Sequence, residues 1–233
     1  MSYPDIHAPN SIWKGRRNTL KSHLKFEYRA WFGETFLKDF PPEPPIPGPR
    51  YLNIGSGEKP TEGFVNADFY KTRLFAKWRR KDKKFDPNWM VDLRRPLKCG
   101  DGHFDGIFTE HVIEHMQPME ALVLLRELHR ILKPGGVLRL IVPDADIYVR
   151  AYLGEVPQDF PFADVQDRTD ILAQLTQEHG HQSIWNAEIM AKVLAAAGFA
   201  QVEKAAFRQG RNPDLLRDNQ MYECHSLYME AVK

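Results

Sequence analysis

The sequence predicts an α/β fold in which a doubly wound, mostly parallel seven-stranded sheet closes with an antiparallel C-terminal hairpin. Three observations carry this expectation. Between Tyr51 and Val142, short apolar runs alternate with stretches of helical periodicity. A glycine turn, Gly55-Ser56-Gly57, links the first apolar run to a second that ends on Asp68. After Gly198, two strand-like runs flank a polar loop containing Gly210 and Pro213.

The elements follow in order. Leu20, Leu24, Tyr28, Trp31 and Phe32 recur at helical spacing, which predicts an amphipathic helix within residues 19–37. Lys14, Arg16, Arg17, Lys21 and Lys25 make this region basic. It reads as a packing arm with a solvated face, and alternatively as a lid or substrate-contacting arm. Prolines crowd residues 41–49, remove backbone donors and favour extended geometry, so this segment is a linker. The expected organisation is therefore a helical arm and linker over residues 1–49 and a main domain over residues 50–233.

Tyr51, Leu52 and Ile54 suit a buried first strand, and residues 64–67 a second. Residues 71–84 carry eight Lys or Arg, with Leu74 and Trp78 four apart, which predicts a short helix with a solvated basic face. Residues 89–93 form a third strand containing Asp92, and residues 104–108 a fourth that runs into Glu110 and His111. Pro118 suits a first helical turn, and Glu120 complements the positive helix start. Leu122, Leu125, Leu128 and Leu132 continue that helix until residues 133–136, Lys-Pro-Gly-Gly, stop it. Residues 137–142 make an apolar fifth strand. Residues 146–180 are irregular, with helical character at 170–177, and read as an insertion that shapes a substrate pocket, or alternatively as surface elaboration. Asn186 is a plausible N-cap for a helix that Gly198 ends. Residues 201–207 and 222–232 form the terminal strand pair.

The chain has 233 residues and a formal net charge of +1, enough for one sizeable domain and without a global charge that points to nucleic acid or membrane. Two cysteines, Cys99 and Cys224, make neither a disulfide framework nor a four-thiolate metal site. No apolar run approaches membrane-spanning length, and the first residues lack the apolar core of a signal peptide, so the expected location is cytoplasmic.

Parallel sheets bind ligands beyond the carboxyl ends of their strands. Gly55, Asp68, Asp92, Glu110 and Asp144 all fall at predicted strand ends. Gly55 and Gly57 permit a sharp turn and close backbone approach, and a carboxylate at Asp68 can accept hydrogen bonds from both hydroxyls of a ribose. The dinucleotide fingerprint wants a third glycine at position 60, which is Pro60, and a helix that opens onto pyrophosphate. The chain has neither, which counts against a nicotinamide enzyme.

These motifs, in this order, resemble class I S-adenosylmethionine-dependent methyltransferases, whose fold is Rossmann-like. The resemblance rests on residues 52–57 (Leu-Asn-Ile-Gly-Ser-Gly), Asp68, Asp92-Leu93, residues 104–108, residues 131–136 before a strand, and Ala197-Gly198-Phe199 before the final hairpin. It covers roughly residues 50–232. Residues 63–68, 110–115 (Glu-His-Val-Ile-Glu-His) and 181–186 further resemble a bacterial subset often associated with cell-surface polysaccharide or glycan biosynthesis. The resemblance implies S-adenosyl-L-methionine as cofactor and a small-molecule or glycan acceptor. It implies that Gly55, Ser56 and Gly57 approach the methionine part, that Asp68 binds the ribose, and that Asp92 and Leu93 meet the adenine. It also implies that Glu110 and His111 face the cofactor and acceptor. Asn53 stands where the family commonly has an acidic residue; its amide can hydrogen-bond the cofactor's ammonium without charge attraction. Residues 55–63 leave room for at most about one helical turn, so the first crossover helix is expected to be short or absent, with the parallel pairing kept.

Transfer to a hydroxyl requires alignment of the acceptor and removal of its proton. His111 and His181 are the candidate bases, with His115 a further one, and Glu110 and Glu114 are possible partners; on a helical segment His111 and His115 would share a face. No ligand set converges in sequence, so no metal is expected, although the pairs His111/His115 and His179/His181 make chelator sensitivity worth testing. Two alternatives stand beside the enzyme reading: a non-catalytic cofactor-binding module, and a nucleic-acid methyltransferase that uses the basic residues 71–84 and the arm.

Overall fold

The structure is a computed structural model that describes residues 20–36, 40–43, 48–57, 60–69, 87–156, 160–161 and 167–233. The basic run 71–84, Lys14, Arg16 and Arg17, the middle of the proline linker, and Pro157 and Phe162 of the insertion lie outside the described residues.

Seven strands form one sheet. They are β1 (Tyr51–Ile54), β2 (Val65–Asp68), β3 (Trp89–Met90), β4 (Phe104–Glu110), β5 (Leu132–Pro143), β6 (Gln201–Lys204) and β7 (Ser226–Val232). Their spatial order is β3-β2-β1-β4-β5-β7-β6. The first five run parallel, and β7 enters antiparallel between β5 and β6. Among the described residues the α-helices are α1 (Leu20–Phe36), α2 (Pro118–Ile131), α3 (Ala145–Leu153), α4 (Thr169–Thr176) and α5 (Ala187–Ala197). This is the expected mostly parallel sheet with its antiparallel terminal pair. The strand order reverses between β1 and β4, so the carboxyl ends of β1, β2 and β4 open onto one rim.

Strand alternation divides the core. On β5, Leu138, Leu140 and Val142 face a large cluster with Leu124, Leu125 and Leu128 of α2 and Met190 and Leu194 of α5. Val137 and Ile141 face the opposite side, with Phe64, Phe108, Leu215 and Tyr228. The helix signals operate as read. Pro118 opens α2 and Glu120 Oε2 accepts from the Gln117 backbone at 3.1 Å. Asn186 caps α5 by accepting from Ile189 N at 3.0 Å, and Gly198 ends it at φ 110°.

Several boundaries differ from the sequence expectation. β3 ends at Met90, which places Asp92 and Leu93 in the following turn. β5 starts at Leu132, and residues 133–136 belong to its extended path, where the pairing with β4 shifts register. β6 stops at Lys204 rather than 207, and β7 starts at Ser226 rather than 222. Asn212 and Asn219 cap the turns Pro213–Leu215 and Gln220–Tyr222 in the intervening loop, so local side-chain hydrogen bonds win over strand pairing there.

The first crossover is the informative departure. β1 and β2 pair parallel, with Asn53 opposite Asn66, although parallel connections usually need about a dozen residues or more. No helix occurs among the described residues of 55–64. An amide network holds the connection instead. Asn66 Oδ1 accepts from Asn53 Nδ2 at 3.0 Å and from Thr61 N at 2.7 Å, and Asn66 Nδ2 donates to the carbonyls of Thr61 and Phe64. Asn53 Nδ2 also donates to Thr61 Oγ1 at 3.1 Å.

Arg139 anchors the other end of the sheet. Its side chain shares the face of Val137 and Ile141 and is 0% exposed. Nε donates to Asp218 Oδ1 at 2.7 Å and Nη1 to Glu230 Oε1 at 2.9 Å, and a second Arg139–Asp218 bond completes the fork. The guanidinium also donates to the carbonyls of Ala206 and Gln209. One buried cation thus pins the whole 205–225 loop to the sheet. Among the described residues no helix is long and apolar enough to cross a membrane.

Candidate active site

The glycine turn folds back on β2. Gly55 and Gly57 have φ of 70° and 52°, where an L side chain is strained. Gly55 N and Ser56 N both donate to Ala67 O, at 2.8 and 3.1 Å. Gly57 N donates to Asp68 Oδ2 at 2.7 Å, and Phe69 N to Oδ1 at 2.6 Å. The carboxylate at the end of β2 therefore holds the turn at the end of β1. Burial raises the Asp68 pKa against the two backbone donors, which lower it. Ser56 Oγ is buried beside them without a hydrogen-bond partner, an orphaned hydroxyl that a polar ligand would satisfy. A ribose diol and a zwitterionic tail fit this set of groups. The Asn53 amide nitrogen is committed to the crossover network, so the residue's first task is structural.

Asp92 is buried just beyond β3, and both its oxygens accept from Arg94. Oδ1 receives Arg94 N and Nε at 3.1 and 3.0 Å, and Oδ2 receives Nη2 at 2.7 Å. Leu93 lies half-buried in the same turn. Arg94 reaches on to Glu27 of α1 at 2.6 Å, and its guanidinium lies 4.7 Å from the Phe26 ring. Phe26 in turn stacks on Phe69 at 4.2 Å. Helix α1 thus packs over the rim where Asp68 and Asp92 emerge.

The end of β4 supplies the third group. Glu110 is its last residue, and Oε1 accepts from Asn219 N at 2.9 Å, tying the 205–225 loop to the rim. His111 follows at φ 54°, an uncommon backbone state for a non-glycine residue. Its ring stacks on Tyr222 at 4.0 Å, and Nε2 lies 2.9 Å from Ser226 Oγ. The helical segment expected to place His111 and His115 on one face is not there: a single 3-10 turn spans Ile113–His115, and the left-handed His111 stands outside it. The two rings meet at Glu114 instead, with His111 Nδ1 3.3 Å and His115 Nε2 4.0 Å from Glu114 Oε1. His181 packs against His115 at 5.1 Å between ring centres. Burial lowers the His181 pKa, and burial also pushes His225, whose ring packs against His111, down to about 4. Asp144, the residue after β5, is buried. It caps α3 through Asp146 N at 3.1 Å and lies 3.4 Å from Lys204 Nζ.

The glycine turn and the β4 turn touch. A Cβ added to Gly55 would lie 2.2 Å from Val112 Cγ2. The glycine turn and the turn that carries His111 therefore share one wall.

Over residues 28–204 the sequence matches the family described as a methyltransferase domain. The chain belongs to this methyltransferase family. It is accordingly an enzyme. Similar solved structures include an S-adenosylmethionine-dependent methyltransferase from Archaeoglobus fulgidus, at 14% identity over 89% of this chain and 94% of that one, TM-score 0.47. One from Mesorhizobium loti has 18% identity over 82% and 93%, TM-score 0.47. A third, the 1,6-didemethyltoxoflavin N1-methyltransferase of Burkholderia thailandensis with bound S-adenosylhomocysteine, has 13% identity over 93% and 81%, TM-score 0.46. No curated protein matches the sequence.

Sequence reasoning did not single out Tyr222, Ser226 or Arg94 in the methyltransferase. The first two reach His111 only because β7 returns antiparallel beside β5, with Ser226 opposite Pro143. Arg94 had a local signal, a cation two residues from Asp92.

Proposed function

We propose that this methyltransferase moves a methyl group from S-adenosyl-L-methionine to an oxygen or nitrogen of a small-molecule or glycan acceptor, of the kind met in cell-surface polysaccharide synthesis. The observation that carries the reading is the contact between the glycine turn held by Asp68 and the histidine-bearing turn after β4, through Gly55 and Val112. It sets a donor cradle beside groups that can handle an acceptor proton.

The donor supplies a sulfonium-bound methyl that is already electrophilic, and displacement returns the S–C electron pair to sulfur as the acceptor bond forms. The protein's part is binding, alignment and proton removal. Asp68 accepts the ribose hydroxyls. Backbone groups and Ser56 Oγ in the glycine turn meet the methionine part. Asp92, with Leu93 beside it, takes the adenine amine and shares its carboxylate with Arg94. Glu110 holds the Asn219 turn over the rim, and the loop's Tyr222 braces His111. His111 receives the acceptor proton on an imidazole fixed by Ser226 and stacked by Tyr222. Helix α1 closes the adenine corner as part of an N-terminal arm distinct from the main domain, and residues 146–180 shape the acceptor side.

The test is transfer of labelled methyl from S-adenosylmethionine to a panel of sugar nucleotides, glycans and RNA. Label in sugar nucleotides or glycans supports the reading. Label confined to RNA, with binding that falls steeply with salt, would replace it by a nucleic-acid substrate. Cofactor binding without transfer to any acceptor would make the chain a binding module.

A further inference from the structure

We propose that Glu114, His115 and His181 form a divalent-cation site at the acceptor side of the rim. One donor atom from each of the three residues lies within 4.8 Å of the other two. Bonds of about 2.1 Å in a tetrahedral arrangement would set donor atoms about 3.4 Å apart, so modest side-chain rotations close the set around an ion.

Glu114 gives the strongest reason to expect a ligand. It is 1% exposed, and neither carboxylate oxygen accepts a hydrogen bond. A buried carboxylate without a hydrogen bond carries a large desolvation cost, and buried charges are normally paired or bound to metal. His111 Nδ1 approaches Oε1 to 3.3 Å without making a hydrogen bond to it.

The two histidines are presented for ligation. His181 Nδ1 lies 2.8 Å from the carbonyl oxygen of Leu175. A carbonyl only accepts, so Nδ1 carries the hydrogen and Nε2 keeps its lone pair. Metal-bound histidines are ordinarily oriented by such a bond from the other ring nitrogen. The segment carrying His181 is also clamped to the segment carrying Glu114 and His115. Gln182 N and Ser183 N both donate to Glu114 O, at 2.7 and 3.1 Å, and Gln182 Nε2 donates to His115 O at 2.7 Å. Residues far apart in sequence are thereby held in ligand register before any ion arrives.

Two imidazoles and one carboxylate suit Zn²⁺, Mn²⁺, Fe²⁺ or Co²⁺ better than Mg²⁺ or Ca²⁺, which prefer all-oxygen shells. Three protein ligands leave open positions. Resting on the function proposed above, the cation would hold an acceptor hydroxyl in one of them and lower its pKa. The O–H proton then passes to His111, the oxygen lone pair forms the new O–CH3 bond, and the S–CH3 bond breaks with its electrons on sulfur. This chemistry selects oxygen acceptors over amines.

The test uses the full chain, stripped with EDTA and titrated with Co²⁺, followed by calorimetry and by the visible absorption of the bound ion. One Co²⁺ per chain is expected, with binding weakened about 100-fold or more in His115→Ala and His181→Ala. His115 is partly exposed, so its variant is the one that keeps the fold, and unchanged affinity for S-adenosylhomocysteine verifies this. Absence of cobalt binding in the wild type, or wild-type affinity retained in both variants, overturns the site. The readout needs no acceptor. Bound cobalt without methyl transfer to any acceptor would overturn the methyltransfer reading and leave the site standing. Undiminished transfer by metal-free protein would overturn the cation's role in catalysis.

Discussion

Replacing Gly55 by alanine tests whether the glycine turn and the β4 turn share a wall. The new methyl carbon would lie 2.2 Å from Val112 Cγ2 and 3.1 Å from Cγ1. Carbon atoms pack at about 3.5–4.0 Å, so the closest pair must part by about 1.3 Å or more. Overpacking of this kind costs about 1–3 kcal/mol. The backbone at φ 70° adds about 1–2 kcal/mol for a non-glycine residue. Together Gly55→Ala should lose about 2–5 kcal/mol. Val112→Ala removes both offending methyls but leaves the backbone term. In a double-mutant cycle the pair should therefore show a favourable coupling of about 1–3 kcal/mol. Urea denaturation of the four proteins measures it, with S-adenosylhomocysteine affinity followed in parallel. Coupling within about 0.5 kcal/mol of zero would refute the shared wall.

Asp68 must be ionised to accept two ribose hydroxyls, and burial raises its pKa above the ordinary 3.8. Binding is present above that folded pKa and lost as pH falls through it. Cofactor affinity should thus decline at a higher pH than an exposed aspartate would allow, and Asp68→Asn should remove the pH dependence; calorimetry across acid pH measures both. Asp218→Asn leaves Arg139 buried with half its fork weakened, whereas Arg139→Met leaves two buried carboxylates. Breaking a buried pair typically costs about 3–5 kcal/mol, so Arg139→Met should lose at least that much in chemical denaturation, and a loss under about 1 kcal/mol would contradict the anchoring role. His225, packed among the rings of His111, Tyr148 and Tyr222, has its pKa lowered from 6.5 to about 4 by burial and by His111. The unfolded chain takes up this proton first, so stability should fall as pH drops from 6.5 towards 4. His225→Phe should flatten that window in thermal melts, and an unchanged slope would assign it to other groups.

The sheet was legible because its strands are period-two or continuous apolar runs and its helices carry strong caps. The parallel β1–β2 pairing was legible from the alternation of elements even with too few residues for a helix. What replaced that helix was not. Asn53 and Asn66 read as polar letters in a strand, and only register places them opposite one another. Arg139 gave no signal of its importance, since its partners Asp218 and Glu230 lie far along the chain. Asp68 and Glu110 end β2 and β4 and Gly55 follows β1, whereas Asp92 lies in the turn beyond β3. Glu114 was visible only as a possible partner of the histidines, because burial without a hydrogen bond is a property of the fold. His181 was noticed as a base, but its place beside Glu114 depends on a backbone clamp that spacing does not encode. Strand boundaries failed where Asn212 and Asn219 cap turns, since a capping asparagine and a strand-ending asparagine look alike in sequence.

The central claim is that the cradle formed by the glycine turn, Asp68 and Asp92 binds the methyl donor. Titrating S-adenosylhomocysteine into wild type, Asp68→Ala and Asp92→Ala tests it most directly. One molecule should bind per chain, with a loss of about tenfold or more in each variant from hydrogen bonds to a charged group worth about 1.5–3 kcal/mol. No binding to the wild type, or equal affinity in all three proteins, would contradict it.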